Sequence, residues 1–110
     1  MDFSEDDNTL NCLFSGRLDG SICEVIEHDL LQQVSDFKKD HQGQEDVRLN
    51  FDLAKAIYVS SSFLRLCLMC FKTFGKDGFS ISNASKDIHN VFHISGFADI
   101  MHVTHADEEK

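Results

Sequence analysis

Long apolar runs are scarce in this chain. The longest, Phe63 to Phe71, is interrupted by Arg65 and is far too short to cross a bilayer. Positive charge is short as well: 10 Lys+Arg stand against 19 Asp+Glu, a formal net charge of −9. No membrane insertion is therefore expected from the apolar pattern, and the charge balance argues against nucleic acid and anionic membranes, since such anionic partners need a cationic surface. The N-terminus opens on acids and lacks a basic segment followed by an apolar one, so no secretory signal is expected. Internal repeats and low-complexity segments are missing too. Gly75-Lys76-Asp77-Gly78 lacks the glycine spacing and the Lys-Ser/Thr pair of a phosphate loop, and no serine sits in a nucleophile elbow.

What is present fits a soluble globular protein: 110 residues, 42% hydrophobic and 26% charged. A chain of that length makes one domain and buries a core without metal or disulfide staples. Residues 1–110 are therefore expected to form a single domain, with 1–8 and 104–110 as flexible ends. Four cysteines could bridge, but Cys23, Cys67 and Cys70 sit inside apolar patterns. Without a secretory signal they are expected as buried thiols of a cytoplasmic protein.

Periodicity predicts the elements. A short strand around Met1 to Phe3 is the most the acidic N-terminus supports. Thr9 to Phe14 alternates as a strand, with Leu10, Cys12 and Phe14 on one side, and Ser15 to Gly20 reads as a turn. Ser21 and Glu24 have capping-box spacing ahead of a helix. Its stripe is Ile22, Ile26, Leu30, Val34 and Phe37, and Lys38 to Gln44 ends it. Val47 to Leu53 is a second strand, followed by a turn-like segment through Ala54 to Val59. The next helix begins at Ser60-Ser61-Ser62 and stops before Gly75. Phe79 to Ser82 is a short strand. Ala84, Ile88, Val91 and Phe92 mark a third helix, and a last strand lies around Ile100 to Val103. The alternation predicts an α/β fold, a mixed β-sheet covered by helices.

The most informative stretch is Tyr58 to Arg65, where three serines stand at a helix start. Serine there satisfies orphan amide groups, and capping alone accounts for its presence. The functional reading is phosphorylation. A phosphate would be accommodated by the unpaired N–H groups and the positive end of the helix dipole. It would also add about −1.5 to −2 charges and expel a partner with an acidic or apolar face. Behind the serines, Leu64, Cys67, Cys70, Phe71 and Phe74 share one side of the helix, with Arg65, Lys72 and Lys76 opposite. Met69 falls on that basic outer side, where an adaptable apolar side chain suits docking.

These pieces, in this order, resemble the STAS domain, the fold of bacterial anti-sigma factor antagonists. Gly16-Arg17-Leu18-Asp19 is similar to the family's Gly-x-Leu-Asp turn. Phe51-Asp52-Leu53 and Ile57 to Arg65 resemble its strand and phosphorylation loop. Asn83 to Ile88 and Val91 to Phe97 resemble its closing helix and the turn after it. The resemblance implies that Ser61 is phosphorylated by a partner anti-sigma kinase and that a separate serine phosphatase reverses this, with Ser60 and Ser62 as other acceptors. It implies a partner-binding surface of Asp19, Ser60, Ser62, Phe63, Arg65, Met69 and Lys72, with Asp52 beside the loop. No cofactor is implied, because ATP belongs to the kinase. Two departures stand out: Ser60 takes a position often held by aspartate, and Phe63 replaces the usual glycine. A constitutive scaffold or regulatory subunit using the same face without phosphorylation is the alternative, favoured by Phe63. An enzyme and a homodimer are further readings.

Other chemistry is thinly supported. Cys67 and Cys70 have redox-pair spacing but fall in mid-helix on the apolar side, where a thioredoxin-like pair is not found. His89 and His93 are four apart, and His102 and His105 follow. No Cys or acid completes a zinc pattern with them, so they are read as surface or partly packed residues.

Overall fold

Asp7 (φ 49°) and Asn8 (φ 64°) turn the N-terminus back on itself through two consecutive left-handed residues. This is the two-residue hairpin geometry that Asp and Asn tolerate best. In the computed structural model, which describes residues 1–44 and 46–105, β1 (Asp2–Asp6) consequently pairs antiparallel with β2 (Thr9–Leu18). The N-terminal end expected to be flexible is thus a strand longer than Met1 to Phe3, while residues 106–110 of the expected C-terminal end lie outside the described residues.

The remaining elements are α1 (Gly20–Asp40), β3 (Arg48–Val59), α2 (Ser61–Phe74), β4 (Phe79–Ala84), α3 (Lys86–Ile94) and β5 (His102–His105), with a short 3-10 turn at Phe97–Asp99. The five strands form one mixed sheet in the order β1-β2-β3-β4-β5. β2, β3, β4 and β5 are mutually parallel. Crossovers between neighbours in that order carry the helices over one face, right-handed as such connections generally are, and the fold is α/β as its pattern predicted.

That face holds the core. The registers Leu10–Leu49–Phe79 and Cys12–Phe51–Ile81 run across three strands, and every member is buried. Phe14 packs edge-on against Phe51 (4.8 Å between centroids) and Phe63 (5.0 Å), and Phe51 does the same with Phe79 (5.0 Å). From the helices come Cys23, Leu30, Val34 and Phe37, then Leu66, Cys67 and Cys70, then Ile88 and Phe92. At the start of α1 the inward position belongs to Cys23, and Ile22 is exposed instead.

The opposite face of the sheet is polar. The Asn50 side-chain amide donates to Asn11 (3.2 Å) and Ser82 (3.0 Å), and the Ser80 hydroxyl donates to Asn50 Oδ1 (2.8 Å). Parallel sheets are generally covered on both faces. Here side-chain hydrogen bonds finish the uncovered one.

The clearest departure from expectation is β3. Its second half is a continuation of the strand, not a turn. The register with β2 moves from Leu13–Asp52 to Ser15–Lys55, and from Gly16–Ala56 to Arg17–Tyr58. At both steps β3 carries one residue more than β2, the signature of a bulge. Inward positions therefore fall at Leu53, Ala56 and Val59, every third residue, which hides the strand period. Ser15 to Leu18 likewise continues β2, with Gly16 taking the positive φ of 77° that the irregular register demands. Among the described residues, no helix is long and apolar enough to cross a membrane.

Candidate functional site at the serine loop

The parallel strands β2 and β3 end side by side at Leu18 and Val59, and α1 and α2 start from those ends. Asp19 caps α1, its Oδ1 accepting from the Ile22 N–H at 3.0 Å. Ser21 and Glu24 therefore lie inside the helix and do not form the expected capping box. Ser60 caps α2, with its Oγ accepting from the Phe63 N–H at 3.4 Å. Ser60 is further tied to the end of β2. Its N–H (3.0 Å) and its hydroxyl (2.8 Å) both donate to the Leu18 carbonyl, and the Cys23 thiol donates to the same oxygen at 3.7 Å. The two helix starts are thus bolted to one backbone group.

This fixes different roles for the three serines. Ser60 is half-buried and committed to capping. Ser62 is half-buried and lines a cleft of about 140 Å³ with Gly20, Cys23, Glu24, Glu27, Arg65 and Leu66. Ser61, the first residue of α2, is exposed. A group added to Ser61 meets solvent, whereas one on Ser60 would break the cap.

The other expected site residues take different places. Asp19 and Arg65 sit with the serines, one as the neighbouring cap and one on the cleft wall. Met69 is 39% exposed on the outer side of α2, consistent with its expected position. Lys72 is exposed but lies in the last turn, about 16 Å along the helix axis from Ser61, where its charge complements the helix dipole. Phe63 requires a correction: it is 0% exposed, wedged against Phe14 and Phe51, and offers no surface to a partner. Its ring enters the core because position three of α2 faces the sheet. Asp52 has a structural role, its Oδ1 accepting from the Ala54 N–H (2.9 Å) and from the Asn83 amide (3.2 Å) beside the first bulge.

Several surface residues here escaped the sequence reading. Ile57 is 70% exposed and Tyr58 40%, and the Arg17 guanidinium stands 4.5 Å over the Tyr58 ring. On α1, Ile22 and Val25 are also exposed. The stretch from Ala54 to Val59, apolar but for Lys55, gives no sign of which side faces out, because the bulges break its alternation.

All four thiols are free and buried. Burial pushes Cys67 well up and Cys70 to about 12. It raises Cys12 as well, helped by the proximity of Cys70, and raises Cys23 despite the Ser60 hydroxyl. A redox pair needs the opposite shift. In the unfolded chain such thiols ionise near the ordinary value of 9.0, while the fold keeps them protonated. The stability this confers is complete below that pH and is lost as the pH rises toward the folded-state values. Urea midpoints should hold level from about pH 7 to 8.5 and fall steadily above about 9, less steeply in Cys70→Val. A midpoint unchanged at about pH 11 would refute the buried-thiol assignment.

Among the described residues no group of three or more His, Cys, Asp or Glu is arranged to hold a metal ion, and no polar residue is fully buried. No protein-family model matches the chain, and no curated protein matches it.

Proposed function

We propose that this chain is a STAS-like, cytoplasmic anti-sigma factor antagonist: a protein-binding module switched off by phosphorylation of Ser61. In this reading the unphosphorylated domain binds a partner anti-sigma kinase and so frees its sigma factor. The kinase supplies ATP and modifies Ser61, and a separate serine phosphatase restores binding. The chain contributes no catalytic group of its own.

One observation carries the reading. Of three adjacent serines at a helix start, only Ser61 has a hydroxyl both exposed and outside the cap. A phosphate there sits at the positive end of α2, so the helix tolerates it, while the outer surface gains about two negative charges. The burial of Phe63 adds support, because the ring does not crowd the approach to Ser61 as a surface aromatic would. It also removes the feature that favoured a constitutive scaffold.

The direct test is intact mass and phosphopeptide mapping of protein purified from its native cells, with phosphatase-treated material alongside. A single phosphate on Ser61 is expected under at least one growth or stress condition. Persistent absence, or modification confined to Ser62, would overturn the switch and leave a constitutive binding module.

A further inference from the structure

β2 and β3 stay paired well beyond their outer neighbours. β1 runs alongside β2 only as far as Leu13, and β4 alongside β3 only as far as Asp52, yet the β2–β3 pairing continues to Leu18 and Val59. The sheet therefore narrows at this end to a two-stranded ribbon. Its helix-facing side is filled by Phe14, Leu18, Ala56 and Val59, all buried. The other side carries Ser15, Arg17 and Tyr58, with Ile57 as the extra residue of the second bulge, and all four are exposed.

Single exposed apolar residues are ordinary. This group is different because the ring, the aliphatic side chain and the cation lie together on a ribbon that, among the described residues, has no strand on either flank. Tyr58 is also only three residues from Ser61. The ribbon is held by its buried helix-facing side, and an exposed apolar surface on the other side adds nothing to that stability. An aromatic ring beside an arginine is the composition that anchors protein interfaces.

We infer, resting on the proposed Ser61 switch, that the same partner also grips this outer side of the ribbon, laying an apolar side chain across Ile57 and Tyr58 and a carboxylate against Arg17. The charge argues for an acidic partner. Arg17 lies on this surface and Arg65 one turn along α2 from Ser61, on a chain whose formal net charge is −9, and unlike charges steer and orient docking. The inference also accounts for an effect of phosphate beyond the helix start. A dianion on Ser61 would repel the carboxylate that Arg17 holds, so one modification weakens both halves of the contact.

The test uses the full chain in its native cells, with a photo-crosslinking benzoylphenylalanine placed at Ile57 in one strain and at Met69 in another. The same protein should be captured from both positions, and the peptide joined to residue 57 should carry Asp or Glu. Capture from residue 57 should fall about tenfold with Arg17→Glu and survive with Arg17→Lys, both variants having wild-type melting temperatures. Capture from Met69 alone, a different protein or a second copy at residue 57, or indifference to Arg17→Glu would overturn the ribbon contact while leaving the Ser61 surface intact. No capture from either position would overturn the proposed function with it.

Discussion

Replacing Phe63 by alanine should cost about 3–5 kcal/mol of folding free energy, the range for emptying a fully buried aromatic site. The ring is 0% exposed and touches Phe14 and Phe51, which themselves link β2 to β3. Since domains of this size are stable by about 5–15 kcal/mol, the loss takes a large share of the total. Urea unfolding followed by circular dichroism measures it, and a cost under about 1 kcal/mol would place the ring outside the core. Phe63→Leu keeps most of the volume and should fold. Its affinity for the partner should stay within about twofold of wild type, because the position has no surface to lose.

The opposite behaviour is expected of Ser61→Asp. Position 61 is exposed in the first turn of α2, where a carboxylate is favoured by about 0.3–1 kcal/mol through the helix dipole. Stability should therefore hold or rise slightly. Partner affinity should fall about 10- to 100-fold, with Ser61→Ala close to wild type. Calorimetric titration of the partner against both variants, beside their melting curves, separates the two effects. Equal affinity of Ser61→Asp and Ser61→Ala would remove charge as the switching agent. A loss of binding matched by a loss of stability would mean that the loop had been deformed.

The contrast between residues 61 and 63 shows where the sequence was legible and where it was not. The helix start at Ser60 and its end before Gly75 are marked by side chains that act locally, a capping hydroxyl and a glycine with φ of 80°. Local chemistry of this kind is visible in a string of residues. The strands β2 and β4 were readable for a related reason, as Leu10, Cys12, Phe14 and Phe79, Ile81 alternate cleanly. The second half of β3 was not, because its bulges are set by the partner strand, and pairing is a long-range property. The inward turn of Phe63 needed the sheet beneath α2. Asp19 was noticed, yet its capping role lost to Ser21 and Glu24, whose spacing fits the motif two residues too late. The exposed pair Ile57 and Tyr58 was hidden by the same bulges that expose it.

The order of the strands has a consequence for how the molecule is made. Position in the sheet follows position in the chain from β1 to β5, so no strand has to be threaded between two already in place. Each new strand docks on the free edge of the previous one, and the helix synthesised between them closes over the seam. Each pairing joins strands that are consecutive in the chain, which suits a chain emerging from the ribosome N-terminus first. Assembly would pause with β3 as the growing edge, holding the serine loop but not yet β4. A chain stalled there would display a nearly finished docking surface on an unfinished sheet.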